Sequence, residues 1–186
     1  RPFLLMLSWG PPHAPYHTAP DAYRDMYKAA DVDLPPNVPP EVAEAARHDL
    51  AGYYAHCTVL DDCAGRLLDT LAEQGIADDT IFVFTSDHGD MIGSQGLWKK
   101  QNPWEESIRI PLLIRYPALL GREGKRVTDT TIDVMDMMPT LLGLADVPIP
   151  ESVEGRDFSG YMRGESAPSD GSTVLACYHP FGQWRT

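Results

Sequence analysis

The distribution of apolar residues predicts one long amphipathic helix in the middle of the chain. Between positions 50 and 71, apolar side chains recur every three or four residues, which is the period of one helix face. The helix is predicted to begin after Pro39-Pro40 and to end at Gly75, because glycine commonly terminates helices. Inside it, Gly52 and Gly65 suggest that the helix packs closely on a sheet.

Short, continuous apolar runs on either side of this helix predict buried strands. Strands that are apolar on both faces are typical of parallel sheets covered by helices. The predicted strands are Phe3 to Ser8, Thr80 to Thr85, Ile110 to Ile114 and Val174 to Tyr178. Because helical segments separate these runs, the pattern predicts an α/β domain with a largely parallel central sheet and helices on both faces.

The remaining segments are predicted to be loops and one shorter helix. The region from Trp9 to Pro40 is rich in proline and tyrosine, which predicts a long ordered loop of functional importance. A helix is predicted through Pro139 and Leu144, with Asp136 as its N-cap. The polar stretch from Gly164 to Ser172 predicts a linker before the last strand.

Composition narrows the possible partners. The chain carries 15 Lys and Arg against 27 Asp and Glu, a formal net charge of -12, which argues against a nucleic-acid partner. An anion site in so acidic a protein must be built locally from a metal, a basic side chain or backbone donors. No apolar run approaches the ~20 residues that a membrane-spanning helix needs. The three cysteines have no metal-ligand spacing and are predicted to be small core residues.

Asp87 and His88 directly follow a predicted buried strand. Ligands bind at the carboxyl ends of strands in open α/β sheets, and a carboxylate with an imidazole suits a divalent cation. Gly89 allows a sharp turn behind them, and Asp90 is either a further ligand or an acceptor that stabilises the turn. A polar turn in which Asp87 acts as a cap explains the same residues without a metal.

Two further groups could bind an anion. His13 lies among prolines that stiffen the backbone, so its imidazole could bind an oxyanion, although an ordinary surface histidine fits the pattern as well. Lys99 and Lys100 lie in a loop between Trp98 and Trp104, where aromatic neighbours could fix a lysine stem. A solvated basic loop is the alternative.

In this order, these segments resemble the sulfatase family of the alkaline-phosphatase-like superfamily. The resemblance extends over nearly the whole chain. It is carried by the runs "PFLLMLSWGPPHAPY", "GYYAHCTVLDDCAGRLLDTLAEQGIADDTIFVFTSDHGDMIGSQGLWKK", "WEESIRIPLLIRYP" and "DVMDMMPTLLGLADVPIPESVEGRDFSGYM".

The resemblance implies a role for each candidate residue. Asp87 matches the metal-binding aspartate of the family, and His88 matches the following ligand, which is Asn or His. Lys100 matches the substrate-binding lysine, with Lys99 as the alternative if the loop is shifted. His13 matches the histidine that contacts the sulfate. The implied cofactor is a divalent metal, calcium first, with manganese or zinc possible in relatives that cleave phosphonates or phosphodiesters.

The resemblance also implies what this chain does not contain. Sulfatases attack with a formylglycine made from the Cys or Ser of a C/S-x-P-x-R motif, and no cysteine here has that context. The nucleophile and two more metal ligands are expected upstream. We therefore expect an incomplete catalytic domain at residues 1–163 and, at 164–186, a linker and the first strand of a small C-terminal subdomain.

Three functional hypotheses follow. The first is a sulfuric ester hydrolase that acts on a small-molecule or glycan sulfate ester. The second keeps the fold and changes the substrate to a phosphonate monoester or a phosphodiester, which His88 favours. The third is that the isolated chain is inactive, because it lacks the nucleophile and part of the metal shell.

Overall fold

The computed structural model describes residues 1–122, 130–165, 168, 177–178 and 184–185. These residues fall into two compact units. The first unit comprises Arg1–Thr70 and His88–Arg109, and the second comprises Leu71–Asp87 and Ile110–Thr186. Each unit is therefore assembled from segments that are distant in sequence.

The described residues form helices and short strands. In chain order they are α1 (Asp21–Arg24), α2 (Ala43–Glu73), β1 (Phe82–Thr85), α3 (Glu105–Ile108), β2 (Leu112–Arg115), α4 (Pro117–Leu120), α5 (Met137–Leu144), α6 (Ser159–Met162), β3 (Cys177–Tyr178) and β4 (Trp184–Arg185). Single 3-10 turns occupy Tyr16–Thr18, Ala29–Asp31, Pro40–Val42, Ser94–Gly96 and Val134–Asp136.

The long helix α2 confirms the amphipathic pattern. It follows the 3-10 turn Pro40–Val42 and extends over 31 residues. Gly75 adopts a φ of +70° just after the helix, and its N–H donates to the Ala72 carbonyl at 3.0 Å. A left-handed glycine at this position satisfies the last carbonyls of a helix, as the sequence predicted.

The core of the first unit lies between α2 and the proline-rich loop. Its buried members are Tyr16, Val32, Leu50, Ala51 and Ile92. The loop is ordered because its own side chains, Tyr16 above all, supply part of this core. Since Tyr16 is only 6% exposed, the loop is tied to the helix within a few residues of His13.

The two glycines of α2 differ in what they face. A Cβ at Gly52 would overlap the backbone carbonyl of Tyr16, whereas a Cβ at Gly65 would have nothing within 4 Å among the described residues. The prediction that both pack on a sheet is therefore wrong. Gly52 permits close approach of a loop, and Gly65 lies in open space.

Alanine at these two glycines should have opposite effects on stability. Gly65→Ala is expected to stabilise the protein by about 0.5–1 kcal/mol, because alanine has the higher helix propensity. Gly52→Ala should destabilise it by about 1–3 kcal/mol, because the methyl group meets a backbone carbonyl that must move. Urea unfolding of the two variants measures both effects. Stabilisation by Gly52→Ala would contradict the close packing.

His56 is a buried polar group on α2. It is 3% exposed, and its Nε2 shares a hydrogen bond with Thr18 Oγ1 at 3.2 Å. Burial lowers the pKa of His56 below its usual 6.5, and nearby His17 lowers it further, while the carbonyl of Pro12 acts in the opposite direction. The fold therefore favours the neutral imidazole.

The depressed pKa of His56 predicts a loss of stability in mild acid. As the pH falls below the ordinary histidine pKa of 6.5, the unfolded chain binds a proton that the folded chain resists, so the free energy of unfolding decreases. His56→Gln should weaken this dependence, whereas His48→Gln, at an exposed site on the same helix, should leave it unchanged. Urea midpoints of the wild type and of both variants at neutral pH and at about pH 5.5 measure this dependence. A dependence that His56→Gln leaves unchanged would contradict the role of His56.

In the second unit, the strands β1 and β2 pair antiparallel. Phe82 lies opposite Arg115, and Thr85 lies opposite Leu112. The expectation of parallel strands is wrong for this pair. A crossover between parallel strands usually runs through a helix that packs on the sheet, whereas the single α-helix between β1 and β2 is the four-residue α3.

The predicted strand Phe3 to Ser8 is also wrong within the described residues. No strand is assigned to this segment, and its side chains are exposed, Leu4 by 95%. An apolar run becomes a strand only when another strand supplies its hydrogen-bond partners. None of the described residues does so here.

The capping hydrogen bond before α5 involves a different residue from the predicted one. Asp133 accepts a hydrogen bond from the N–H of Met135 at 3.2 Å and is the N-cap of the turn Val134–Asp136. Asp136 lies at the N-cap position of α5, as expected, but its side chain makes no capping hydrogen bond to that helix, because its carboxylate is 2% exposed and bound to Arg156. Burial raises the pKa of Asp136, but hydrogen bonds from Arg156 and from the Asp133 N–H outweigh it, and the net pKa is lowered.

At the C-terminus, β3 and β4 form an antiparallel pair. The predicted strand Val174 to Tyr178 is thus confirmed at Cys177–Tyr178, and its first residues lie outside the described ones. The division at residue 163 stays a prediction. Among the described residues, no helix has both the length and the apolar character needed to cross a lipid bilayer.

Candidate functional site

The backbone after β1 makes a close contact at Gly89. The Gly89 N–H donates to the Ser107 carbonyl at 2.9 Å, which joins the two ends of the segment that contains Lys100. A Cβ at Gly89 would overlap the backbone carbonyl of Glu106, so the position requires glycine. This contact fixes the backbone between His88 and Asp90.

Lys100 lies in a loop that is anchored at several points. The Met91 N–H donates to the Lys99 carbonyl at 2.8 Å. Trp98 donates from Nε1 to Asp49 Oδ2 on α2, also at 2.8 Å, and thereby confirms that a tryptophan anchors the loop. Trp104, the other predicted anchor, is 45% exposed.

His13 has both ring nitrogens engaged. Its Nδ1 lies 2.9 Å from the Ala14 carbonyl, and its Nε2 lies 2.8 Å from Lys100 Nζ. A carbonyl only accepts, so Nδ1 carries the proton. Nε2 then accepts a hydrogen bond from the Lys100 ammonium group.

His88 lies beside this pair. Its ring packs edge-on against the His13 ring, with 5.9 Å between the centroids. Its Nδ1 donates to the Gly89 carbonyl at 2.7 Å, which places the imidazole lone pair on Nε2. The structure thus brings together Lys100, His13 and His88, which we call the Lys–His–His cluster.

Chemically, the Lys–His–His cluster can bind an anion. It presents one ammonium group next to two imidazoles, in a chain whose net charge is otherwise strongly negative. Lys100 is half-buried and His13 is exposed, so an anion could reach both from solvent. Charge-assisted hydrogen bonds from an ammonium group are stronger than neutral ones.

Asp87 directly precedes His88, lies two residues after the end of β1 and is exposed. It belongs to the second unit, whereas the Lys–His–His cluster belongs to the first. Its role as a metal ligand stays a prediction. Across the part of the chain that the structure describes, no three His, Cys, Asp or Glu side chains are grouped so as to hold a metal ion.

The structure distinguishes residues that the sequence left ambiguous. Lys99 is exposed, and Lys100 is the lysine that contacts His13. Asp90 serves as an acceptor in its turn, bound by the N–H groups of Ile92 and Lys99. Sequence reasoning missed Tyr16, whose hydroxyl also donates to Asp90, because the two are 74 positions apart and no local pattern connects them.

Comparison with known proteins gives consistent matches. The family model described as "Sulfatase" matches residues 1–147. The chain is 39% identical to an ulvan-active sulfatase from Formosa agariphila over 97% of its own length and 35% of the relative's. It is 38% identical to an arylsulfatase from Clostridium perfringens, over 98% of its own length and 42% of the relative's.

The fold matches solved structures as well. The phosphonate monoester hydrolase from Silicibacter pomeroyi superposes with a TM-score of 0.63 at 32% identity, covering 81% of this chain and 29% of that structure. The chain therefore spans well under half the length of the relatives that it matches.

Proposed function

The chain belongs to the sulfatase family, and we propose that the whole protein hydrolyses sulfuric esters. The observation that carries the proposal is the contact of 2.8 Å between Lys100 Nζ and His13 Nε2, with the His88 ring beside it. His13 lies 75 positions before His88 and 87 before Lys100, yet the three residues are brought together into one cluster that can bind an anion. The substrate we propose is a small-molecule or glycan sulfate ester.

Lys100 and His13 have complementary roles in this proposal. The Lys100 ammonium group donates to a sulfate oxygen and stabilises the charge that develops on the transferred group. His13 donates from Nδ1 to the Ala14 carbonyl, which fixes its ring so that Nε2 accepts from the Lys100 ammonium group and orients it toward the anion. As the nucleophile forms its bond to sulfur and the ester S–O bond breaks, the proton shared by Nζ and Nε2 passes to the leaving oxygen, and the Lys100–His13 pair becomes neutral.

The chemistry of the donor set fits a divalent metal. His88 has its lone pair on Nε2, the protonation state that a ligand imidazole needs, since its Nδ1 donates to Gly89. Asp87 adds a carboxylate at the adjacent position. A bound metal would polarise the sulfate oxygens and lower the pKa of the nucleophile. We propose calcium, with manganese or zinc as alternatives because imidazole is a good ligand for both.

The test is to assay the full-length protein on 4-nitrophenyl sulfate before and after treatment with a chelator. Hydrolysis that is lost on chelation and restored by calcium supports both the activity and the metal. Restoration of hydrolysis by manganese or zinc alone would identify a metal other than calcium and would still support the proposed activity. Absence of hydrolysis with any of these metals on a panel of aryl and glycan sulfates would refute the proposed function.

A phosphonate monoester or phosphodiester hydrolase is the second candidate. His88 at the second ligand position favours it, and so does the similarity to the phosphonate monoester hydrolase from Silicibacter pomeroyi. Turnover of a phenyl phosphonate ester and of 4-nitrophenyl sulfate by one preparation discriminates the two candidates. A kcat/KM that is higher for the phosphonate would favour this second candidate.

The isolated chain is proposed to be inactive. Asp87 and His88 supply only part of a cation's ligands, so the 186-residue chain should bind calcium weakly. Calorimetric titration of the isolated chain measures this directly. Affinity in the micromolar range would show that the remaining ligands are present in this chain.

A further inference from the structure

Asp90 connects the two segments that carry Lys100 and His13. Its Oδ1 accepts hydrogen bonds from the N–H of Lys99 at 2.8 Å and from the N–H of Ile92 at 3.2 Å. Its Oδ2 accepts a hydrogen bond from the Tyr16 hydroxyl at 2.7 Å. One half-buried carboxylate thus binds the residue before Lys100 and a residue of the His13 loop.

Tyr16, the partner of Asp90 in the His13 loop, is held in a fixed position. Tyr16 is buried in the core of the first unit, and its backbone carbonyl packs against Gly52 of α2. Burial first, and then the hydrogen bond to Asp90 and the negative charge of Asp90, raise the pKa of Tyr16, so its hydroxyl stays a donor at working pH. Asp90 is therefore bonded to a fixed point three residues from His13.

The Lys99 contact stabilises an unfavourable backbone. Lys99 and Gln101, the two neighbours of Lys100, have φ angles of +66° and +70°. Such left-handed conformations are costly for residues other than glycine and persist only where surrounding contacts hold them. The hydrogen bond from the Lys99 N–H to Asp90, with the one from Met91 to the Lys99 carbonyl, supplies these contacts.

These two attachments define a role that is separate from metal binding. Both carboxylate oxygens of Asp90 already accept hydrogen bonds from this chain. We propose that Asp90 is a positioning residue, which holds the Lys100 backbone at a fixed distance from the His13 loop so that both side chains meet one anion. The inference rests on the proposed function, since the anion is the transferred sulfate group.

The test is a double-mutant cycle in the full-length protein. Asp90→Ala is expected to lower kcat/KM for 4-nitrophenyl sulfate by about 100-fold, the effect of misplacing a catalytic group by about 1 Å. In a Lys100→Ala background, the same change should cost little more, because the side chain that Asp90 positions is absent. Equal losses in both backgrounds would overturn the proposal, since they indicate a purely structural role.

Three further variants distinguish a positioning role of Asp90 from a general loss of structure. Asp90→Asn should retain most of the wild-type activity. Its amide oxygen can still accept from the Lys99 N–H, and its NH₂ group can donate to the Tyr16 hydroxyl. Tyr16→Phe removes only the hydrogen bond from the Tyr16 hydroxyl to Asp90. If Asp90→Ala does not fold, Tyr16→Phe replaces it in the same double-mutant cycle. Asp69→Ala, at an exposed carboxylate of α2, is the matched control and should leave kcat/KM unchanged.

Amide hydrogen exchange provides a readout that does not depend on activity. The Lys99 amide should exchange faster in Asp90→Ala than in wild type, whereas amides of α2 should not change. An unchanged Lys99 amide would overturn the positioning role. If the wild-type protein hydrolyses no sulfate ester, the proposed function fails, and the exchange rates alone decide whether Asp90 holds the loop.

Discussion

Replacing Lys100 with alanine is expected to lower kcat/KM for a sulfate ester by about 100- to 1,000-fold in the full-length protein. Its ammonium group lies 2.8 Å from His13 Nε2 and would stabilise the charge that grows on the transferred group. Removing one such preorganised donor from an active site typically costs that much. Steady-state kinetics on 4-nitrophenyl sulfate measure the effect.

Lys99→Ala is the matched control for this prediction. The two lysines are adjacent and carry the same charge, but Lys99 is exposed while Lys100 contacts His13. Because a long-range electrostatic effect would be similar for both, a loss confined to Lys100→Ala identifies a direct contact. Equal losses, or a larger loss for Lys99→Ala, would refute the assignment of Lys100.

Replacing Arg156 with methionine is expected to destabilise the protein by about 3–5 kcal/mol. Arg156 Nη2 donates to Asp136 Oδ2 at 2.8 Å, and Asp136 is 2% exposed. Removing one partner of a buried pair leaves a desolvated charge behind, which is the costly case. The Arg156 guanidinium also lies over the Phe158 ring, with Cζ 5.0 Å from the ring centroid, so methionine removes this contact together with the ion pair while keeping an apolar side chain at the position.

Two further variants test the origin of this loss under urea unfolding. Arg109→Met removes the exposed partner of Glu105 on α3, a pair separated by 3.7 Å, and should change stability by less than about 1 kcal/mol. Adding Asp136→Asn to Arg156→Met should restore part of the loss, because the carboxylate that was left behind becomes neutral. No recovery in the double variant would show that the loss comes from packing.

Much of the fold could be predicted from the sequence. The period of α2 and the apolar runs of β1 and β2 were sufficient to locate these elements within a few residues. The α/β class of the alkaline-phosphatase-like superfamily is confirmed by the match to a solved phosphonate monoester hydrolase. These features depend on local patterns, which a single sequence contains in full.

The direction of strand pairing could not be predicted in the same way. The apolar character of β1 and β2 predicted parallel neighbours, yet Val83 lies opposite Ile114 in an antiparallel register. Apolar runs report burial on two faces and carry no information on strand direction. The hydrogen bond from the Gly89 N–H to the Ser107 carbonyl joins the two ends of the segment between β1 and β2, and this contact depends on tertiary packing.

Residue types with chemical potential, namely His13, Asp87, His88 and Lys100, were evident from the sequence and its resemblance to sulfatases, because ligand and donor chemistry belongs to the side chain itself. The resemblance already favoured Lys100 over Lys99, and only the tertiary structure placed Lys100 against His13. It also revealed that Asp90 joins Lys99 to Tyr16, which lies 74 positions away. Proximity between distant residues is set by how α2 and the proline-rich loop pack together, and the energy of that packing is shared among many side chains rather than encoded at any one position.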